Sequence, residues 1–262
     1  MSKEIKFYKY QGAGNDFVLI DNRNSAFDAQ DNDLIKQLCD RRFGIGGDGL
    51  MLLQDTKNFD FEMLYYNADG NEGTMCGNGG RCIVAFARDL NIIQNKAAFL
   101  AVDGPHDAEI HDNQVHLGMI PVNEHHMDGE AYVMNTGSPH YVKFVEGLNH
   151  IDMFKEGYAI RNNPTYIEKG INVNFIEKEG NGYFVRTFER GVEDETYACG
   201  TGAVASAMSV ALKEGKDGDF NIPIRVIGGQ LQISFHKKES SFSNVFLTGP
   251  ALQVFQGAIT LS

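Results

Sequence analysis

Two glycine-rich cysteine motifs recur in this chain at a fixed separation. Cys76 lies in EGTMCGNGG and Cys199 lies in ETYACGTGA, 123 residues later, and Gly14 and Gly137 precede strand-like segments at the same offset. In both motifs a glutamate stands four residues before the cysteine, and CGxG opens an apolar helical pattern. A fixed period of this kind indicates an internal duplication that gives two similar halves. Cysteines at equivalent places further predict a symmetric site between the halves.

Four segments carry apolar residues at three- to four-residue spacing, which predicts helices. These segments are Asp33–Arg42, Gly77–Ile93, Ile151–Arg161 and Gly200–Leu212. The last is apolar nearly all round, as is typical of a buried helix. Short apolar or alternating runs predict strands in both halves, so the fold class is mixed α/β (α+β).

The polar segment Pro121–Glu130 is the best candidate for a linker. We expect one half to comprise residues 1–119 plus 250–262, and the other half to comprise residues 120–249.

Charge limits the partners of this protein. Of its 262 residues, 35 are acidic and 23 basic, which gives a net charge of −12. Such a surface repels phosphate backbones and anionic lipid, so we expect neither nucleic acid nor a membrane as partner. The N-terminus carries no apolar signal region, and the uncharged stretch Cys199–Leu212, at 14 residues, is too short to span a bilayer. We expect a cytoplasmic protein whose cysteines are reduced thiols.

The two motif cysteines are candidates for proton transfer. Each is predicted at a helix N-terminus, where the helix dipole stabilises a thiolate and neighbouring glycines let backbone N–H groups approach an anion. A single such thiol could be a nucleophile, a buried structural thiol or a metal ligand. Two matched thiols suit a reaction that needs a base on one face of a carbon and an acid on the other, which is stereo-inversion. Cysteine and histidine spacing typical of a metal site is absent, so we expect no metal.

No cofactor is expected either. GIGGDG, at Gly44–Gly49, matches a dinucleotide-binding pattern only formally, because it follows a helix and precedes a strand. We interpret it as a glycine-rich turn near the site. The dispersed histidines of residues 106–126 are interpreted as solvated surface, whereas His140 follows Pro139 in the repeated GSPH segment.

The motifs together carry a resemblance. GAGNDF, GIGGDG, NADG before CGNGGRC, TGSPHYV, GINVNF, and ERG before ACGTGA occur in one order. This series resembles the diaminopimelate epimerases, which invert an amino-acid centre without pyridoxal phosphate, and it spans the chain from Gln11 to about Ala205. The resemblance implies two pseudo-symmetric domains, each a sheet wrapped around a central helix, with the substrate in the cleft between them.

The resemblance also implies roles for individual residues. Cys76 and Cys199 would be the catalytic pair, His140 would lie near the reacting end, and Glu189 would both take part in catalysis and contact the substrate. Backbone N–H groups would hold the reacting carboxylate at Gly77, Asn78, Gly200 and Thr201. The remaining residues implied to bind the substrate or line its pocket are Asn15, Asn67, Asn172, Glu189 and Arg190.

The sequence departs from the family pattern within two of the motifs, GIGGDG and TGSPHYV. Many relatives have glutamine where Gly49 stands, and many have asparagine where Ser138 stands.

Two other functions stay open. One alternative is another cofactor-independent racemase or epimerase, acting on proline, hydroxyproline or histidine. The other is a non-catalytic amino-acid-binding protein, which the retention of both cysteines disfavours. The expected partner is a small amino-acid substrate, and a homodimer stays open.

Overall fold

The structure is a computed structural model and describes residues 3–261. The first part of the chain alternates strands with two helices. Its strands are β1 (Lys3–Gly12), β2 (Asn15–Asp21), β3 (Gly49–Gln54), β4 (Phe61–Asn67), β5 (Lys96–Ala101), β6 (Gly104–His111) and β7 (Gln114–Gly118). Its helices are α1 (Asn32–Cys39), between β2 and β3, and α2 (Gly77–Asp89), between β4 and β5.

The second part of the chain has the same alternation, and a 3-10 turn at Leu148–His150 precedes its first helix. Its strands are β8 (His125–Asp128), β9 (Ala131–Asn135), β10 (Pro139–Phe144), β11 (Asn172–Glu179), β12 (Gly182–Glu189), β13 (Asp194–Thr196), β14 (Gly218–Val226), β15 (Gly229–Lys238), β16 (Ser241–Pro250) and β17 (Leu252–Leu261). Its helices are α3 (Met153–Arg161), between β10 and β11, and α4 (Gly200–Glu214), between β13 and β14.

The chain divides into two compact units. Segments 1–117 and 250–262 form the first unit, and segment 118–249 forms the second. The C-terminal strand β17 returns to the first unit because it pairs antiparallel with β1 over most of its length.

Strand order repeats between the units. In the first unit neighbouring strands run β17-β1-β2-β3-β4-β5-β6-β7, and in the second they run β8-β9-β10-β11-β12-β14-β15-β16. Both series have two antiparallel pairs, then a parallel, an antiparallel and a parallel pair, then two antiparallel pairs. The mixed fold with two similar halves is therefore confirmed.

Each sheet wraps around one buried helix. Helix α2 packs against β1–β4, β6 and β17, and helix α4 packs against β9–β12, β14 and β15. Every residue of α2 from Gly77 to Ala87 is buried, as is every residue of α4 from Gly200 to Ala211. The expectation of a central helix in each half is confirmed. A helix enclosed in this way can present only its ends to a ligand.

Helix boundaries differ from the predicted ones by a few residues, for local reasons. Helix α1 ends at Cys39 because the Asp40 carboxylate accepts the backbone N–H groups of Arg42 and Phe43, at 2.7 Å each. Helix α2 ends at Asp89, just before Asn91 takes a left-handed φ of 58°. Helix α4 continues two residues beyond the predicted end, and Gly215 then ends it with a left-handed φ of 69°.

The predicted linker Pro121–Glu130 is wrong in part. Strand β8 lies inside it and pairs antiparallel with β9, from His125 opposite Met134 to Asp128 opposite Ala131. The sequence hid this strand because it is polar, which an edge strand with only one neighbour in its unit tolerates. Gly129, with a φ of 59°, forms the tight turn between the two strands.

Candidate active site

Cys76 is the N-cap residue of α2. Its Sγ accepts the backbone N–H of Gly79 at 3.5 Å, and its carbonyl accepts the N–H of Gly80 at 2.7 Å, which is the first turn of the helix. The first amide groups of a helix have no carbonyl partner within the helix, so they form a positive pocket for an anion. The half-buried thiol therefore lies where a negative charge is stabilised.

An asparagine amide faces this thiol. Asn15 Oδ1 lies 3.8 Å from Cys76 Sγ and accepts the side-chain N–H of Asn78 at 3.2 Å. Its Nδ2 donates to a carboxylate oxygen of Asp48, which fixes which end of the amide points at the sulfur. The Cys76 thiol is thereby placed to donate to an acceptor.

Charged side chains support Asn15 from behind. Asp48 also pairs with Arg41 at 2.7 Å, and Arg41 pairs with Asp16 at 2.6 Å. Lys9 Nζ lies 2.6 Å from the other oxygen of Asp16. Burial acts to raise the pKa of Asp16, but hydrogen bonds from Arg41 and Lys9 outweigh it and lower that pKa to about 2. This carboxylate is therefore charged throughout the neutral range.

A buried arginine holds the start of α2. Arg81 is fully buried and donates to Asn78 Oδ1 at 3.1 Å and to the Gly77 carbonyl at 3.3 Å. It also donates to the Pro250 carbonyl at 3.4 Å. Because Arg81 engages Asn78 Oδ1, the amide N–H of Asn78 points at Asn15.

Cys199 is the N-cap residue of α4, in the equivalent place of the second unit. Its carbonyl accepts the N–H of Ala203 at 2.9 Å. Its Sγ lies 3.5 Å from the hydroxyl oxygen of Thr201, and the residue is only 8% exposed. A hydroxyl, rather than an amide oxygen, thus faces this second thiol.

His140 stands behind Thr201 and is completely buried. Its Nε2 lies 2.9 Å from Thr201 Oγ1, and its Nδ1 lies 3.0 Å from Asn174 Nδ2. Burial, followed by the positive charge of Arg190, lowers the pKa of His140 to about 3. The imidazole is therefore neutral at physiological pH and lies two hydrogen bonds from Cys199 Sγ.

The other two cysteines have a different environment. Cys39 and Cys82 are buried, and burial raises the pKa of each thiol to about 12. Neither begins a helix: Cys39 ends α1 and Cys82 lies within α2. They are core residues.

Within residues 3–261 no three histidine, cysteine, aspartate or glutamate side chains are grouped so that they could hold a metal ion. Nor does any helix there combine the length and apolar character needed to cross a membrane.

The family follows from comparison with known proteins. The family model described as diaminopimelate epimerase matches residues 7–123 and 132–254. The chain belongs to the diaminopimelate epimerase family. A relative from Flavobacterium psychrophilum, named diaminopimelate epimerase, is 51% identical over 257 residues, which cover 97% of this chain and 100% of the relative.

Solved structures share the fold at much lower identity. A PhzF-family phenazine biosynthesis protein from Bacillus anthracis has a TM-score of 0.76 and 13% identity, covering 99% of this chain and 100% of its own. A hydroxyproline epimerase from Agrobacterium vitis has a TM-score of 0.75 and 12% identity, covering 98% and 93%. At such identities the likeness concerns the fold alone.

The site residues implied by resemblance to diaminopimelate epimerases fall into two groups in the structure. Gly77, Asn78, Gly200 and Thr201 all lie in the first turns of α2 and α4, beside the two cysteines. Five more lie at strand ends or in the turns that follow them. They are Asn15 at the start of β2, Asn67 at the end of β4, Asn172 at the start of β11, Glu189 at the end of β12, and Arg190 just after it.

Asn172 is engaged by its own unit. Its Oδ1 accepts the Arg190 backbone N–H at 2.8 Å, and its Nδ2 donates to Ser138 Oγ at 2.9 Å. The Arg190 guanidinium donates to the Lys169 carbonyl at 3.0 Å. Asn172 therefore holds the backbone of Arg190 in place. The neighbouring Glu189 accepts a hydrogen bond from the hydroxyl of Thr196 at 2.9 Å.

The surroundings of Gly49 leave no room for a side chain, which gives a steric reason for this departure from the expected glutamine. A Cβ at this position would lie 2.4 Å from the Tyr66 carbonyl oxygen and 2.6 Å from the Tyr65 ring. Tyr65 would also lie 2.5 Å from a Cβ at Gly73, so its ring occupies the space between the two glycines.

Several residues that shape the site were not predicted from the sequence. Asp48 orients Asn15, Arg81 orients Asn78, and Asn174 contacts His140. One signal for Asn174 was available: alternation along a strand puts it on the same face as Asn172. For Arg81 no sequence signal was available, because a charged residue is not expected to be buried.

Proposed function

We propose that this protein interconverts LL- and meso-diaminopimelate by proton transfer at one α-carbon, with Cys76 and Cys199 as the acid–base pair. The observation that carries the proposal is the matched placement of both thiols as helix N-caps, in a chain 51% identical to a diaminopimelate epimerase along nearly its whole length. The reaction supplies precursors of lysine and peptidoglycan.

The chemistry follows from the weak acidity of an amino-acid α-hydrogen. One cysteine, as thiolate, takes the α-proton and becomes a thiol, which leaves the electron pair on the α-carbon and its carboxylate. The other cysteine, as thiol, gives its proton to the opposite face and becomes a thiolate. Atoms and charge balance, the configuration inverts, and the roles of the two cysteines are exchanged. The pair therefore titrates as a unit.

The carbanionic state needs stabilisation that the helix termini can supply. Negative charge grows on the substrate carboxylate as the proton leaves. Backbone N–H groups at Gly77 and Asn78, and at Gly200 and Thr201, are the donors we assign to that carboxylate. Preorganised donors of this kind lower the barrier because they need no reorientation during the reaction.

Recognition of the distal amino-acid end is assigned to polar groups away from the thiols. Asn67 is exposed at the end of β4, and Glu189 and Arg190 supply one charge of each sign. A second amino-acid head carries both an ammonium and a carboxylate, so this pairing suits it. A substrate with one head, such as proline, has no second ammonium and carboxylate for this pair to bind.

Isotope exchange tests the proposal. The protein is incubated in deuterated water with LL-diaminopimelate, meso-diaminopimelate, proline, hydroxyproline or histidine, and α-deuterium and configuration are followed by NMR. We expect deuterium and inversion only with the two diaminopimelate isomers. Inversion of a monoamino acid instead would favour the related racemases, and binding without exchange would indicate a non-catalytic protein. For the variants Cys76→Ala and Cys199→Ala, the matched control is Cys39→Ala, which is altered at a buried thiol.

A further inference from the structure

We propose that Asn174 is a positioning residue for Cys199: it fixes the neutral tautomer of His140, which in turn makes the Thr201 hydroxyl a donor to the Cys199 sulfur. This inference rests on the proposed function of Cys199, but the hydrogen-bond chain itself can be measured without substrate. The four residues lie on β10, β11 and the start of α4, within one unit.

The first step is the orientation of the Asn174 amide. Its Oδ1 accepts the hydroxyl of Thr187 at 2.9 Å, and its Nδ2 donates to the carbonyl oxygen of Tyr141 at 3.0 Å. A carbonyl oxygen can only accept, so Nδ2 is the end that points toward Tyr141 and His140. Asn174 is fully buried, so no water competes for the amide.

The second step is the tautomer of His140. Asn174 Nδ2 lies 3.0 Å from His140 Nδ1, and because Nδ2 is a donor, Nδ1 must accept. A neutral imidazole that accepts at Nδ1 carries its proton on Nε2. The charged group acting on the ring is Arg190, which together with burial disfavours the imidazolium.

The third step is the direction of the Thr201 hydroxyl. His140 Nε2–H donates to Thr201 Oγ1 at 2.9 Å, so the hydroxyl hydrogen is left to point elsewhere. Cys199 Sγ lies 3.5 Å from the same oxygen. The backbone of Thr201 is held as well, because the hydroxyl of Thr136 donates to its carbonyl at 2.8 Å. A thiolate at Cys199 thus receives a hydrogen bond from the Thr201 hydroxyl, and Asn174 sets the direction of that hydroxyl through His140.

A glycine allows this chain to reach the helix. A Cβ at Gly202 would lie 2.3 Å from Asn174 Oδ1 and 3.3 Å from the His140 ring. The CGTG motif therefore serves close approach of the Asn174–His140 pair, in addition to exposing N–H groups.

The tautomer is tested first, in the complete protein labelled with ¹⁵N-histidine, with His140 assigned by the His140→Gln difference spectrum. We expect a neutral ring with the proton on Nε2, unchanged from pH 5.5 to 8.5. A ring protonated on Nδ1, or one that titrates in this range, would overturn the proposal. This measurement does not depend on activity. Failure to turn over diaminopimelate would therefore count against the proposed function without contradicting the hydrogen bonds from Asn174 to Cys199.

Variants test the link to the thiol. Asn174→Asp is nearly isosteric but offers His140 only an acceptor, so the imidazole proton should move to Nδ1 or the ring should become charged. We expect kcat to fall about 10- to 100-fold with KM within about threefold, since misdirected catalytic groups commonly cost up to ~100-fold. Asn22→Asp is the control, because Asn22 is also a buried amide, and its side chain bonds the Phe27 backbone rather than a histidine. Should Asn174→Asp not fold, Asn174→Ser removes the donor without adding a charge.

A double-mutant cycle separates positioning from mere structural support. Thr201→Val removes the hydroxyl and should lower kcat by a similar factor, whereas Thr201→Ser should retain most of it. If Asn174 acts through Thr201, the double variant Asn174→Asp/Thr201→Val should be no slower than Thr201→Val alone. Additive losses would show that Asn174 does not act through the hydroxyl and would refute the proposal.

Discussion

The two helix starts share one scaffold but have different supports. Both cysteines cap a buried helix, and both are followed by glycine-rich first turns. Behind Cys76 the support is ionic. It consists of Lys9, Asp16, Arg41 and Asp48, with Asn15 between them and the sulfur. Behind Cys199 the support is neutral and buried. It consists of Thr201, His140, Asn174 and Thr187.

The repeat makes this difference specific to particular positions. His140 is 123 residues after Phe17, and Asn174 is 123 residues after Met51, the same offset that separates the cysteines. Strand register agrees: Phe17 pairs with Gly49 across a parallel pair, and His140 pairs with Asn172 across the equivalent one. The backbone is therefore repeated, while an apolar pair in one unit is replaced by a hydrogen-bonded pair in the other.

Duplicated sites can become unequal while their backbone stays the same. An amide oxygen faces Cys76 and can accept a hydrogen bond from the thiol, whereas a hydroxyl faces Cys199 and can donate a hydrogen bond to a thiolate. The helix termini supply a feature common to both thiols, and the side chains behind them supply the difference.

The largest effect should come from the cysteines themselves. Cys76→Ala and Cys199→Ala should each lower epimerisation by about 10²–10⁴-fold, which is the contribution of a positioned acid or base. Each variant keeps one thiol, which can remove and return a proton on the same face. We therefore expect each to exchange α-deuterium into a different isomer without inversion, measured by NMR in deuterated water. Near-normal turnover by either variant would contradict the two-cysteine mechanism.

The neutral support should affect stability in acid. His140 has its pKa lowered to about 3 in the folded protein by burial and by Arg190, against about 6.5 when unfolded. Between these values the unfolded chain binds more protons, so stability falls as pH decreases, by up to about 1.4 kcal/mol per pH unit. The pH 6 to pH 4 loss should be about 2–3 kcal/mol greater in the wild type than in His140→Gln. Urea unfolding at each pH measures it, and parallel curves for the two proteins would contradict the assignment.

The glycines at the two helix starts should respond unequally to a methyl group. A Cβ at Gly202 would meet Asn174 Oδ1 at 2.3 Å within a buried polar pair. At the equivalent Gly79 it would meet Met51 Cε at 3.0 Å, the end of a flexible side chain. We expect Gly202→Ala to cost about 2 kcal/mol of unfolding free energy and Gly79→Ala about 1 kcal/mol or less. Equal losses would show that the polar pair adapts as easily as a methionine.

The sequence was sufficient for the shared part of the site and insufficient for the unequal part. CGxG before an apolar run predicted that Cys76 and Cys199 begin buried helices, because helix starts have local signals. The supports are long-range: 33 residues separate Asn15 from Asp48, and 34 separate His140 from Asn174. Their meeting depends on the register of parallel strands, which neither motif encodes.

Burial caused two other failures of prediction. His106, interpreted as solvated, is 6% exposed, stacks on Phe99 with ring centres 5.4 Å apart, and bonds Asp103 at 2.8 Å. Strand β8 was hidden by its polar residues. Hydrophobicity along the chain predicts burial only where apolar residues do the packing. Hydrophobicity therefore predicted the central helices well. The domain limits expected from the sequence stay a prediction.

The smallest effect should come from the ionic support behind Cys76. Burial opposes ionisation of Asp16, yet hydrogen bonds from Arg41 and Lys9 lower its pKa to about 2. Its ordinary pKa is about 3.9, so the unfolded chain binds this proton more readily than the folded protein does. The resulting stabilisation is complete above about pH 5 and disappears as pH falls through about 2.

Asp16→Asn should therefore lower the unfolding free energy by about 1 kcal/mol at pH 7, since Arg41 is exposed to solvent that screens the pair. The deficit relative to wild type should shrink below pH 4, and 1 M salt should reduce it at pH 7. Salt should leave the effect of Asn174→Asp unchanged, because Asn174 and His140 are shielded from ions by burial. Equal salt sensitivity of the Asp16 and Asn174 variants, measured by urea unfolding, would mean that the ionic and neutral supports do not differ as described.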